Sequence, residues 1–130
     1  NTLIGRMIFQ NLLEDFEGKL NLLDDILPDK PVLIIFSRKP ERAVCEKLLF
    51  DIENEGASII GITPEDTKAI KTKLPIFRDK SRHFSRKPYP DYLDYVLLLR
   101  RDRYIAASCK IENIDDMRPK IKTLTSAIEN

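Results

Sequence analysis

Two apolar runs, separated by a segment long enough to form a helix, constrain the fold of this chain more than any other feature. The first run, PVLIIFS at residues 31–37, holds five consecutive apolar residues rich in Ile and Val, and the second, ASIIGI, covers residues 57–62. Runs of this length and composition predict strands that are buried on both faces. The spacing of apolar residues at 41–55 predicts a helix between them. We therefore expect two parallel strands joined by a right-handed crossover.

Weaker patterns predict the remaining elements. Before the first run they are an opening strand at 6–13, a polar turn at 14–18 and a short helical turn at 20–26. After the second run they are a helix that begins at Thr63 and ends before Pro75, an extended piece at 75–79 and a loop at 80–91. Strands at 95–99 and 104–111 follow, and a final helix from Asn113 or Asp115 carries the apolar stripe Met117, Ile121, Leu124 and Ile128. The last two strands form an antiparallel hairpin. A mixed sheet in which βαβ precedes ββα, flanked by helices, is the thioredoxin-like arrangement of the α/β class.

Length and charge limit the partners of the chain. Its 130 residues predict one domain, 1–130, and 22 basic against 21 acidic residues do not indicate a globally basic nucleic-acid binder. No apolar run approaches the ~20 residues of a membrane span, and no leader resembles a signal peptide. Two cysteines outside any CxxC predict free thiols in a reducing, cytoplasmic location. The first residue, Asn1, is not Met, which suggests a fragment of a longer protein.

A thioredoxin-like redox enzyme needs a reactive thiol where the helix begins after the first central strand. Here residues 37–40 read SRKP without a cysteine, and the predicted helix places Cys45 more than one turn further along. Cys109 belongs to a predicted strand. The position just before the first hairpin strand, where thioredoxins have a proline, is occupied by Asp94 or Tyr95. We therefore expect no thiol redox chemistry.

Other residues that could carry chemistry also have simpler interpretations. His83 is the only histidine and is expected to be an exposed loop residue rather than a proton shuttle. The loop around it is basic and aromatic, which is typical of single-strand nucleic-acid binding but equally of a solvated or protein-docking loop. Acid pairs at Asp24 and Asp115 are explained by helix starts. The residues alone therefore predict no catalytic, cofactor-binding or metal-binding residue, and the scattered glycines form no phosphate loop.

Three stretches together resemble one family. They are GRMIFQNLLEDFEGKLNLLDDIL at residues 5–27, the run PVLIIFS, and DYVLLLRRDRYIAAS at residues 94–108. The chain is similar to the C-terminal thioredoxin-like domain of FAD-dependent aromatic hydroxylases, flavoprotein monooxygenases such as phenol hydroxylase and pentachlorophenol monooxygenase. Arg100, Asp102, Tyr104 and Ile105 match the hairpin pattern of that family. Arg101 stands where the family commonly has proline, and residues 77–80 resemble its Asp-Gly element without the glycine.

The resemblance implies a parent enzyme that inserts one oxygen atom of O₂ into a phenolic ring, using FAD reduced by NAD(P)H. It implies that flavin and substrate are bound in upstream domains, which are the expected partners, and that this domain carries no catalytic residue and supports packing or subunit contacts, including a homodimer. The alternatives are a self-standing, redox-inactive interaction module and a thiol peroxidase or oxidoreductase. Residues 100–103 are then the turn of a hairpin, with Asp102 accepting from turn N–H groups. Arg100 and Tyr104 are candidates for contact with the catalytic body.

Overall fold

The computed structural model describes the backbone of residues 3–129 and the side chains of residues 3–126. Its strands are β1 (Leu12–Glu14), β2 (Leu20–Leu22), β3 (Val32–Phe36), β4 (Ser58–Thr63), β5 (Ile76–Asp79), β6 (Tyr95–Leu99) and β7 (Ile105–Lys110). Its α-helices are α1 (Leu23–Ile26), α2 (Glu46–Asn54) and α3 (Met117–Glu129). Single turns of 3₁₀ helix cover Pro40–Arg42, His83–Ser85 and Tyr89–Tyr92, and a longer 3₁₀ segment, kinked at Asn113, covers Ile111–Asp116.

All seven strands form one mixed sheet in the order β2-β1-β5-β4-β3-β6-β7. β3, β4 and β5 are parallel to one another, whereas β6 and β7 form an antiparallel hairpin beside β3. A second hairpin, β1–β2, extends the opposite edge through antiparallel pairing of β1 with β5. The predicted βαβ unit followed by a ββα unit is confirmed, and it is enlarged at one edge by three strands.

The central strand β3 is buried along its whole length because it has a partner on each edge and a core on each face. Its alternating side chains divide between two cores, as the period of two in a strand requires. Leu33 and Ile35 lie in the core shared with Ile52 of α2 and Met117 of α3. The opposite core contains Val32, Ile34 and Phe36, together with Leu3, Ile8, Leu23, Phe84 and Tyr89.

The two faces of the sheet are therefore covered by different kinds of structure. α2 and α3 cover one face with regular amphipathic helices, and the predicted stripe of α3 is confirmed for Met117 and Ile121, which are fully buried. Leu124 packs beside them, and Ile128 lies outside the residues whose side chains are described. The N-terminal segment, α1 and two 3₁₀ turns cover the other face.

The predicted helix between Thr63 and Pro75 is absent, because the residues at its expected start make other bonds. Thr63 is the last residue of β4, and its hydroxyl donates to the Thr67 carbonyl at 2.5 Å instead of accepting from a helix N–H. Asp66 accepts from the guanidinium of Arg38 at 2.9 Å. The segment instead runs as an irregular connection into β5, and tertiary contacts override a favourable local capping pattern.

Three other predicted elements are wrong in extent. The helix predicted at 41–55 breaks at residues 43–45 into a 3₁₀ turn and the shorter α2. The opening strand predicted at 6–13 is reduced to an isolated bridge at Met7 and the three residues of β1. The helical turn predicted at 20–26 begins as β2, because those residues pair with β1 before α1 starts.

The backbone of β4 at Gly61 packs directly against the ring of Pro40, in the 3₁₀ turn that follows β3. A Cβ atom added to Gly61 would lie 2.6 Å from Cβ of Pro40, well inside contact distance, and Pro40 is held in a rigid ring. We expect Gly61→Ala to lower the free energy of unfolding by about 1–3 kcal/mol through this overlap. Urea denaturation should show that the loss shrinks in a Pro40→Gly background, since that change removes the opposing Cβ. An equal loss in both backgrounds would contradict the overlap.

Candidate functional site

A groove at the carboxyl end of β3 occupies the position where a thioredoxin-like enzyme has its reactive thiol. Ser37 follows β3 directly, is almost fully buried, and donates from Oγ to Oδ1 of Asp94 at 3.0 Å. The same Oγ accepts the N–H of Lys39 at 3.1 Å. Asp94 stands immediately before β6 in a left-handed conformation, with φ of 66°, and its N–H donates to the Phe36 carbonyl at 2.7 Å. The groove therefore holds a hydroxyl and a carboxylate, and no thiol among its lining residues.

Two cavities adjoin at Arg38, with volumes of about 390 and 360 Å³. The first is bounded by the Ser37–Asp94 pair and by the basic side chains of Lys39 and Arg42. Arg38 is itself paired with Asp66, and this guanidinium, followed by the hydroxyl of Thr67, lowers the pKa of the Asp66 carboxyl. The groove is therefore open and charged, and within it the charge of Arg38 is neutralised by Asp66.

Cys45 lies in a different place from the one expected. The break at residues 43–45 makes Cys45 the residue that precedes the first turn of α2, and its carbonyl accepts the N–H of Leu49 at 3.1 Å. Its side chain is exposed rather than part of the apolar stripe. The sequence contained one signal for this boundary, the acidic residue Glu46 in the first turn of α2.

Cys109 has a contrasting environment in β7. It is half-buried and its Sγ donates to the carbonyl of Asn113 at 3.4 Å. Burial, with a smaller contribution from the charge of Asp116, raises the pKa of the Cys109 thiol to about 11. The two thiols of the chain therefore differ strongly in accessibility.

The residues 100–103 form the turn of the β6–β7 hairpin, as predicted. Arg100 pairs with Asp102, which also accepts the N–H of Tyr104 at 3.3 Å, so the predicted role of Asp102 is confirmed. Arg101 pairs with Asp29 through two bonds of 3.1 and 2.9 Å. Each of these arginines thus has its own carboxylate, and the group does not present a shared anion site.

Arg103 links the hairpin turn to the segment after α1. Arg103 has a left-handed backbone, with φ of 73°, and its side chain donates to Asp24 at 2.9 Å and to the carbonyls of Pro28 and Leu27 at 3.2 and 3.3 Å. The hydrogen bond from Arg103, and then one from the side chain of Gln10, lower the pKa of the Asp24 carboxyl. Asp24 lies in the first turn of α1, at a helix start as predicted, but it makes no side-chain capping bond and pairs with Arg103 instead. Contacts between residues so distant in sequence leave no local signal.

The basic and aromatic loop does not form a stacking surface. Phe84 and Tyr89 lie in the core, Arg78 pairs with Glu14 at 2.6 Å, and Arg82 pairs with Glu65 at 2.5 Å. His83 was expected to be exposed but is half-buried and stacks on Phe9, with ring centroids 4.9 Å apart. Its Nδ1 is buried without a hydrogen-bond partner among the described residues.

A buried carboxylate that the sequence did not reveal orders the start of this loop. Asp79 accepts from Nδ2 of Asn11 at 3.2 Å, from the hydroxyl of Ser81 at 2.9 Å and from the N–H of Phe84 at 2.8 Å. Three donors satisfy the charge in an otherwise apolar surrounding. Asp79 therefore anchors the loop to β1 and is not available for chemistry.

Among the described residues, no three His, Cys, Asp or Glu side chains cluster closely enough to bind a metal ion. No helix within residues 3–129 is both long and apolar enough to cross a membrane.

Comparison with known proteins places the chain in a family and a fold. Residues 5–124 match the family model described as the HcaD C-terminal domain. No curated protein matches the sequence significantly.

Solved structures with low sequence identity share the fold. A putative protein disulfide isomerase from Bacteroides thetaiotaomicron superposes with a TM-score of 0.66 at 16% identity, over 93% of this chain and 89% of that one. A domain of a possible thiol-disulfide isomerase from Cytophaga hutchinsonii gives 0.63 at 15% identity, over 97% of both. A mutant of peroxiredoxin 6 from Arenicola marina gives 0.68 at 12% identity, over 96% of this chain and 74% of that one. The thioredoxin-like fold predicted from the sequence is confirmed.

The environments of the two thiols predict different alkylation behaviour. At pH 8 we expect iodoacetamide to modify Cys45 at least tenfold faster than Cys109, since only Cys45 is exposed. With a pKa of about 11, roughly one Cys109 thiol in a hundred is ionised at pH 9, so its labelling should keep rising up to that pKa. Mass spectrometry of Cys45→Ser and Cys109→Ser variants assigns each rate. Equal rates at pH 8 would contradict these environments.

The three bonds of Arg103 predict that it stabilises the domain more than its neighbour Arg101. Arg103→Ala should lower the free energy of unfolding by about 1–3 kcal/mol, because two carbonyls and a carboxylate lose a half-buried charged donor. Arg101→Ala removes only an exposed ion pair and should cost less than about 1 kcal/mol. Thermal denaturation of both variants makes the comparison, and a larger loss for Arg101→Ala would refute it.

Proposed function

The chain belongs to the HcaD C-terminal domain family, and on that premise we propose that it is a non-catalytic domain of an FAD-dependent monooxygenase. The parent enzyme would hydroxylate a phenolic substrate with NAD(P)H and O₂ in the cytoplasm. The observation that carries the proposal is the family match over residues 5–124, together with the resemblance of the hairpin that contains Arg100, Asp102 and Tyr104. The role of the domain would be packing against the catalytic body or subunit assembly.

The geometry of the groove supports a non-catalytic role. The hydroxyl of Ser37 donates to Asp94 and accepts the N–H of Lys39, and no histidine lines the cavity to act as a base toward that hydroxyl. Arg38 is occupied by Asp66. These groups hold the end of β3 and the start of β6 together, which is a structural task.

The residues present do not fit a flavin. Binding of the pyrophosphate of FAD normally uses a glycine-rich turn between a strand and a helix, and the turn after β3 reads SRKP at residues 37–40. The chain has four glycines, at Gly5, Gly18, Gly56 and Gly61, and no two have the GxG or GxxG spacing of a dinucleotide-binding turn. The flavin and the nicotinamide cofactor would therefore be bound by upstream domains of the parent protein.

The position of Cys45 favours thiol chemistry as a second candidate function. Its sulfur is exposed and stands immediately before the first turn of α2, so it is accessible to thiol reagents and oxidants. Cys109, the other cysteine, is half-buried in β7 and hydrogen-bonded, which makes it a poor resolving thiol. A self-standing interaction module remains the alternative without chemistry, and a parent reading frame that lacks an upstream dinucleotide-binding unit would favour it.

Variants of the groove test the non-catalytic role in the full-length parent protein. We expect Ser37→Ala and Asp94→Asn to leave kcat for NAD(P)H-dependent hydroxylation and the flavin absorbance within about twofold of the wild-type values, since neither group would touch substrate. Cys45→Ser, measured in the same kcat and flavin-absorbance assays, tests the second candidate function, thiol chemistry. A drop in kcat of tenfold or more in a correctly folded groove variant, or flavin bound to the separated domain, would contradict the proposal.

A further inference from the structure

Exposed apolar side chains are concentrated near the N-terminal end of the domain. Ile4, Met7 and Phe9 are 48%, 55% and 42% exposed, and Tyr104 beside them is 37% exposed. We call these four side chains the Met7 face. Solvated segments of a sheet normally present polar residues outward, so a group of large apolar ones indicates a surface that is covered in the working protein.

Backbone pairing holds the Met7 face in one orientation. Met7 and Tyr104 form an antiparallel bridge. Two backbone hydrogen bonds flank it: the N–H of Ile8 donates to the carbonyl of Arg103 at 3.0 Å, and the N–H of Ile105 donates to the carbonyl of Arg6 at 2.8 Å. This is the narrow, non-hydrogen-bonded type of pair, in which opposing side chains lie close on one side. Ile8, on the other side, is in the core.

Internal contacts keep the Met7 face ordered before any partner binds. Phe9 stacks on His83 and lies 5.5 Å from the ring of Tyr89, while the guanidinium of Arg100 lies 5.6 Å from the ring centre of Tyr104. A shallow cavity of about 340 Å³ between Met7, Phe9 and Arg103 adds a recess beside it. A surface that is ordered in advance loses little conformational entropy on association.

We propose that the Met7 face docks on the domain that precedes it in the same polypeptide, an inference that rests on the proposed function. In a C-terminal domain the preceding polypeptide is joined at the end of the chain that carries Ile4, Met7 and Phe9. A covalently attached neighbour is held at high effective concentration, so even a modest apolar surface suffices for docking.

The charge of Arg6, beside the Met7 face, indicates one further property of the partner surface. Arg6 lies on the same segment, is exposed, and takes part in none of the ion pairs between described residues. The surface that covers the Met7 face should therefore be apolar, with a carboxylate opposite Arg6. Exposed apolar residues elsewhere lie apart from this segment. Phe50 lies alone on α2, the amine of Lys71 lies over the ring of Phe16, and Leu20 and Leu22 belong to the edge strand β2.

Hydroxyl-radical footprinting of the full-length protein tests the docking. Met7 and Tyr104 should be oxidised several-fold more slowly than their exposure in the domain allows, whereas Phe50, the matched exposed control, should react at its normal rate. The protection should be the same at high and low protein concentration. The proposal would be overturned if Met7 and Tyr104, like Phe50, were oxidised at the rates that their own exposure in the domain allows. Protection that disappears on dilution to the monomer would assign the face to a second copy instead.

A charge substitution gives an independent readout. Met7→Lys should restore the oxidation of Tyr104 and speed proteolytic cleavage ahead of the domain several-fold, while Phe50→Lys should change neither. The side chain of Met7 makes no described hydrogen bond or ring contact, so this variant should keep the fold. Unchanged protection of Tyr104 in Met7→Lys would also overturn the docking. A full-length protein without flavin would refute the proposed function while leaving the footprint of the Met7 face readable.

Discussion

The burial of β3 on both faces and both edges is the constraint on which the rest of the structure depends. Five apolar residues in a row give the strand no side that tolerates water, so it must lie between β4 and β6 with a core above and below. Each unsatisfied backbone group in such a strand would carry a large penalty, and both ladders satisfy them. The crossover helix, the final hairpin and α3 take their places from that position.

The parts of the fold that depend on this constraint were predictable from the sequence. Apolar patterns predicted β3, β4, β6 and β7 with an error of at most one residue at either end, and the apolar spacing predicted the helices on one face. The other face was not predictable in this way. It is covered by irregular segments whose placement rests on single contacts, such as the buried carboxylate of Asp79 and the bonds of Arg103, and these join residues far apart in sequence.

The candidate site shows the same division between local and distant effects. The sequence correctly indicated that Asp102 organises a turn, through a bond between residues two positions apart. It could not place Cys45, because the apolar spacing of Val44, Leu48 and Ile52 continues through the break at residues 43–45. The 3₁₀ turn before the break holds Pro40, which packs closely against Gly61 of β4, a contact between residues far apart in sequence.

The pairing of the N-terminal segment with the start of β7 has a mechanical consequence. Three backbone hydrogen bonds join residues 5–8 to Arg103 and Ile105, and Leu3 is fully buried. A pull applied at Leu3 is therefore carried as shear into β7, then β6, then β3. From residue 3 onward the N-terminal segment is joined to the sheet and moves with it as one body.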